Sequence, residues 1–266
     1  MPAPTAAPFR DARFAPAQLQ VERRPGGEWV LHNPAPFSTV WRTATEPLAH
    51  WAGVAPARTW LAERSGEGWR SLTYGEAADR VAALAGGLRE LGVVGAGPLL
   101  ILARNGVDHA MVKYAAMSQG LPAAPVSPQY GLPGAVLARL AHAVEVLRPG
   151  AVYTEDAALF ATALEAPFLA GLPVIAGRNA RAGDVSLERL VAGATAPAAA
   201  RPEDPAKYLL TSGSTGHPKA VTISHLGMAW NSAQITACYD DGEPPVIVNA
   251  APWSHSLGAN AILHMT

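Results

Sequence analysis

Residues 99–126, LLILARNGVDHAMVKYAAMSQGLPAAPV, decide the fold class. Residues 99–103 are continuously apolar, as in a strand covered on both faces. Asp108 is placed to cap a helix running to Gln119, and Gly120 can end that helix in the left-handed conformation. Residues 123–126 then read as a second short strand. Strand, helix and strand in this order form a βαβ unit, which joins parallel strands.

The same alternation extends in both directions. Upstream, Thr73 and Glu76 have capping-box spacing. Ala77, Val81, Leu84, Ala85, Leu88 and Leu91 then recur at helical intervals, and Gly92 is the stop signal. Downstream, strands are expected at 151–154, 173–176, 207–210, 220–223 and 246–250. Helices are expected at 135–147, 155–164, 186–191 and 225–239, the last capped by Ser224. The expected fold is α/β, a mostly parallel sheet flanked by helices.

Two hairpins precede this pattern. One pairs 19–24 with 28–31 around Pro25-Gly26-Gly27, and the other pairs 59–64 with 69–73 around residues 65–68. Residues 1–50 form an N-terminal arm that includes the first hairpin. Trp29, Trp60 and Trp69 read as packing residues. Residues 192–206, rich in Ala and Pro, read as a surface connector.

Composition narrows the function classes. Charged residues are 15% of the 266 residues and the formal net charge is −1, which gives no bulk attraction to nucleic acid or an anionic membrane. Cys238 is the only cysteine, so intrachain disulfides and cysteine zinc sites are excluded. The apolar window at 91–103 is broken by Gly95, Gly97 and Pro98 and falls short of the ~20 residues of a spanning helix. The start lacks a secretory signal's apolar stretch. A cytoplasmic protein without a membrane span is expected.

The chemistry lies in Thr211-Ser212-Gly213-Ser214-Thr215-Gly216-His217-Pro218-Lys219. Gly213 and Gly216 let the chain turn tightly, so that backbone N–H groups can approach an anion. Thr211, Ser212, Ser214 and Thr215 add hydroxyl donors, and Lys219 adds a compact positive charge for phosphate oxygens. At average residue frequencies this pattern arises by chance in on the order of one chain in a million. A flexible Ser/Gly linker does not account for Pro-Lys at this spacing. The P-loop G-x-x-x-x-G-K-S/T fails too: Pro218 stands where its second glycine belongs, and Ala220 cannot ligate magnesium.

Residues 208–219 resemble the signature of the adenylate-forming superfamily, which includes acyl-CoA synthetases, luciferases and peptide-synthetase adenylation domains. Ala220 replaces the glycine that usually follows Pro-Lys. Leu72-Thr73-Tyr74-Gly75-Glu76 is similar to the family's opening motif, and residues 120–128 to its second; Gly97-Pro98 replaces the Gly-Asp usual before the 99–103 strand. Residues 251–258, Ala-Pro-Trp-Ser-His-Ser-Leu-Gly, resemble the motif that places a histidine at the acyl pocket. Within the superfamily the likeness is nearest to feruloyl-CoA synthases, through Val21-Glu22-Arg23-Arg24, the second hairpin, residues 124–128 and Pro252-Trp253-Ser254-His255.

The resemblance implies an acid–thiol ligase that uses ATP, Mg2+ and coenzyme A and turns a small carboxylic acid, hydroxycinnamate-like, into a CoA thioester. It implies catalytic roles for Lys219 and His255, and ATP contacts from Thr211, Ser212, Gly213, Ser214, Thr215, Gly216 and Lys219. Trp253 and His255 would wall the substrate pocket. No metal ligand is assigned. Residues 51–266 are then expected to be part of the AMP-binding large domain. The adenine, ribose and magnesium contacts and the C-terminal domain fall after Thr266, leaving this piece inactive alone. A degenerate nucleotide-binding module and a fatty-acyl-CoA ligase are the alternatives. His109, His142, His225 and His264 have no metal-ligand spacing and read as incidental.

Overall fold

The computed structural model describes residues 13–16, 18–34, 40–211, 218–239 and 246–264, with backbone alone at 261 and 262. The βαβ unit forms as expected: β5 (Leu99–Leu102), α3 (Val107–Ser118) and β6 (Ala123–Val126), with the strands parallel. β7 (Ala151–Thr154), β8 (Val174–Ala176) and β9 (Val185–Ser186) extend the parallel sheet on the other side of β5. The chain then returns to β6 with β10 (Pro205–Thr211), and β11 (Lys219–Ser224) pairs with β10 antiparallel. The order is β11-β10-β6-β5-β7-β8-β9.

Strand period two divides the interior between the faces. Leu99, Ile101, Ala123, Tyr153 and Ile175 enter one core with α3, α2 (Tyr74–Glu90) and α6 (Leu187–Val191). Leu100, Leu102, Val126, Val152 and Ala176 enter the other with α4 (Ala138–Leu147) and α5 (Ala161–Leu164). Both sheet faces are therefore covered, as a parallel sheet requires. Thr73 and Glu76 form the full capping box of α2, and Gly92 takes φ +74 just beyond its end.

Outside the main sheet, α1 (Glu46–Val54) runs through the boundary drawn at residue 50. β3 (Thr59–Ser65) and β4 (Gly68–Thr73) form the second hairpin, held to α3 by Trp60 edge-on to Tyr114. β1 (Gln20–Arg23) and β2 (Trp29–His32) form the first, which buries none of its residues. Trp29 and Trp69 are exposed, each beneath an arginine, Arg23 and Arg64.

Five local expectations change. α3 starts at Val107, two residues before the start that a cap at Asp108 implies, with Gly106 at the cap position, so Asp108 is not its cap. Glu63 Oε2 instead accepts the first helical N–H, from Val107 (3.0 Å), while Asp108 pairs with Arg70. Asp156 turns the chain by accepting from the N–H groups of Ala158 and Leu159, which shortens the 155–164 helix to α5. α4 begins at Ala138 rather than at residue 135, and α7 (His225–Thr236) ends three residues early. Residues 246–250 form no strand: Val246 and Val248 are exposed and no described strand pairs with them, so β-branched residues without a partner are not enough.

Candidate active site

β10 runs parallel to β6, so its end at Thr211 lies at the carboxyl edge of the parallel strands, where ligands bind in open α/β sheets. Thr211 ends β10 and stands opposite Lys219, which opens β11; both are exposed. The Thr211 hydroxyl lies 3.5 Å from the Lys219 carbonyl oxygen. Ser212, Gly213, Ser214, Thr215 and Gly216, assigned above to ATP, lie outside the described residues. The antiparallel hairpin beneath them delivers the two loop ends side by side.

One loop end has a partner that the sequence pattern did not single out. His142, on α4, donates its Nε2–H to the Pro218 carbonyl oxygen at 2.9 Å. A ring nitrogen facing a carbonyl must carry the proton, so this bond sets the tautomer. The anchor comes from a different layer of the fold, and no spacing along the chain announces it.

Beside the loop, a cavity of about 400 Å³ opens between the ends of β6 and β10. Pro125, Val126, Ser127 and Pro128 form one wall, Leu210 contributes from β10, and Pro252, Ser254 and His255 close it. Pro125 sits inside β6 and has no N–H to give a neighbouring strand. The parallel ladder registers Lys207 of β10 with Ala123 of β6, and Leu210 reaches the cavity from the far end of β10. The lining is mostly apolar, with hydroxyl groups, the His255 imidazole and the Gln129 carboxamide the polar exceptions.

His255 is exposed and lines this cavity. Its Nδ1 accepts the Leu257 N–H at 3.3 Å, which leaves Nε2 to carry the proton and act as a donor. Trp253 is placed differently from His255. Its ring is buried, edge-on to His109 at 5.1 Å between centroids, and it is absent from the cavity lining. His109 donates from Nδ1 to the Arg104 carbonyl (3.0 Å), and burial lowers its pKa to about 3, so it is neutral. Histidines 109 and 142 thus have structural work that spacing along the chain did not reveal.

The structure therefore brings Thr211, Lys219 and His255 to one end of the sheet. Among the described residues, no group of three or more His, Cys, Asp or Glu could hold a metal ion. No helix among them is long and apolar enough to cross a membrane.

Comparison with known proteins bears on the family and the fold. Residues 48–266 match the family described as AMP-binding enzyme. A hybrid PKS-NRPS synthetase of Penicillium oxalicum is 34% identical over 160 residues, covering 59% of this chain and 4% of that protein. A feruloyl-CoA synthase of Amycolatopsis is 29% identical over 189 residues, covering 71% of this chain and 35% of that protein. The chain thus spans about a third of the synthase's length and a small part of the hybrid synthetase. A fatty acyl-adenylate ligase structure from Legionella pneumophila superposes with a TM-score of 0.68 at 22% identity, covering 85% of this chain and 38% of that one. At that identity the likeness speaks for the fold alone.

Proposed function

This chain belongs to the AMP-binding enzyme family, the adenylate-forming ligases, and from that premise we propose that it serves an acid–thiol ligase acting on a hydroxycinnamate-like acid. The observation that carries the reading is the shared cavity: Leu210, next to the phosphate loop, and His255 line the same apolar space. A planar aromatic acid suits walls of Pro125, Val126, Pro128 and Pro252, with its carboxylate turned toward His255. The likeness to a feruloyl-CoA synthase supports the same substrate class.

In the first step a carboxylate oxygen attacks the α-phosphorus of ATP, the bond to the β-phosphate oxygen breaks, and pyrophosphate leaves. His255 Nε2–H donates to the carboxylate and holds its attacking oxygen in place. Loop N–H groups, the hydroxyls of Thr211, Ser212, Ser214 and Thr215, and Lys219 receive the charge that builds on pyrophosphate. One preorganised donor of this kind is worth about 3 kcal/mol in the transition state. Magnesium would supply further charge compensation when bound; among the described residues no group of three or more His, Cys, Asp or Glu gathers to hold it. In the second step the sulfur of coenzyme A attacks the acyl carbon, the bond to AMP breaks, and the thiol proton leaves to solvent.

The test is carboxylate-dependent ATP–pyrophosphate exchange by the protein expressed from its complete reading frame. Ferulate and coumarate are expected to support exchange better than benzoate or medium-chain fatty acids. Exchange with fatty acids alone would replace the aromatic acid by a fatty acid. No exchange with any acid would leave the nucleotide-binding module as the reading.

A further inference from the structure

Resting on this reading of His255, we infer that Asn105 is a positioning residue for the histidine end of the site. Asn105 lies between β5 and α3, at the carboxyl edge of the sheet, and is itself outside the cavity lining. Its Nδ2 donates to the Ala251 carbonyl at 2.9 Å, and its Oδ1 accepts the Trp253 N–H at 2.9 Å. One planar carboxamide thus engages the backbone on both sides of Pro252, as a neighbouring strand would. Pro252 has no N–H of its own, so the Ala251 carbonyl and the Trp253 amide are the groups this turn presents for such pairing.

The opposite side of the turn is closed by backbone. A Cβ on Gly258 would lie 2.5 Å from both the Ala251 and Pro252 carbonyl oxygens, so glycine is needed for the approach. The His255 N–H donates to the Pro252 carbonyl (3.0 Å), and the Ala259 N–H donates to the His255 carbonyl (2.9 Å). Trp253 fills the space against His109, whose Nδ1–H holds the carbonyl of Arg104, the residue before Asn105. Asn105 therefore fixes a turn whose next residues place the imidazole at the cavity. The preceding residues 246–250 pair with no described strand, so sheet pairing does not do this for it.

The amide is matched to its two partners. Aspartate can accept from Trp253 but cannot donate to Ala251, and alanine does neither. Because Asn105 is exposed, both replacements leave the core untouched. We expect slowed hydrogen exchange at the Trp253 amide and one His255 ring resonance in the wild type. Asn105→Ala should speed that exchange at least tenfold and shift or split the His255 resonance, with Asn105→Asp in between. In the complete enzyme, Asn105→Ala should raise KM for the carboxylic acid about tenfold and leave KM for ATP within twofold. An unchanged His255 resonance in Asn105→Ala overturns the inference, as does an equal rise in both KM values. A shifted resonance in a protein that activates no acid keeps the positioning role and removes the ligase reading instead.

Discussion

Lys113 and Lys207, from α3 and β10, direct their amino groups at one carbonyl oxygen, that of Ala259, at 3.5 and 3.0 Å. Lys113 also meets His264 Nε2 at 3.1 Å, and the Tyr114 hydroxyl meets His264 Nδ1 at 3.0 Å. Both lysines are fully buried, and among the described residues no carboxylate bonds to either amine. Burial pushes Lys113 down to about 7 and Lys207 well below its ordinary value, the latter pushed further by Lys113.

Stability should therefore rise with pH between about 7 and 10.4, the ordinary lysine value. The unfolded chain binds more protons than the folded one across that window, so stability is lost as pH falls. The slope can approach about 1.4 kcal/mol per pH unit for each lysine. Burial also lowers His109 and His264, so the loss should continue on acidification below about 6.5. Lys113→Met should flatten the alkaline part and raise the melting temperature at pH 7. Thermal melts from pH 5 to 10 check this, and a level wild-type profile would refute it.

Lys219→Ala in the complete enzyme should slow adenylation about a hundredfold, the equivalent of one lost preorganised donor. Carboxylic acid binding should stay within twofold, because Lys219 borders the loop rather than the cavity. Single-turnover kinetics separate the two. Unchanged adenylation would take Lys219 out of the first step.

His142→Leu removes the donor to the Pro218 carbonyl. KM for ATP should rise about fivefold, the effect of one hydrogen bond, with KM for the acid unaffected. Glutamine, which keeps an N–H donor, should recover part of the loss. Failure of glutamine to do better than leucine would argue against the bond.

Arg70 bonds both Glu63 and Asp108, and the Asp108 bond above all raises its pKa. If Asp108 works through Arg70 rather than as a helix cap, Asp108→Ala and Arg70→Ala should not be additive. A double-mutant cycle by urea denaturation should give a coupling of about 1 kcal/mol, modest because the Arg70 side chain is 38% exposed. Additive losses would point to independent roles.

Much of the fold was legible because the deciding signals are local. The Thr73–Glu76 capping box, the run at 99–102 and the Gly92 stop depend on a few adjacent residues, and all are present. Residues 246–250 show the reverse case. Their β-branched residues suit a strand, but a strand exists only when another backbone pairs with it. Asp108 likewise had cap spacing, yet Arg70 offered its carboxylate a charged partner.

The 211–219 loop stood out by its residue types and spacing, and the 251–258 segment by its resemblance to a family motif. What the chain order could not contain is which distant groups hold them. Asn105 reaches across to Ala251 and Trp253, His142 reaches Pro218, and Lys113 and Lys207 meet at Ala259. Trp253 went to the core and His255 to the cavity. Sequence by itself determined the sheet's repeating units, because propensity, capping and turn formation act over a few residues. The tertiary structure alone decided where the cavity opens and what positions His255. Those outcomes depend on which elements and side chains meet across the fold.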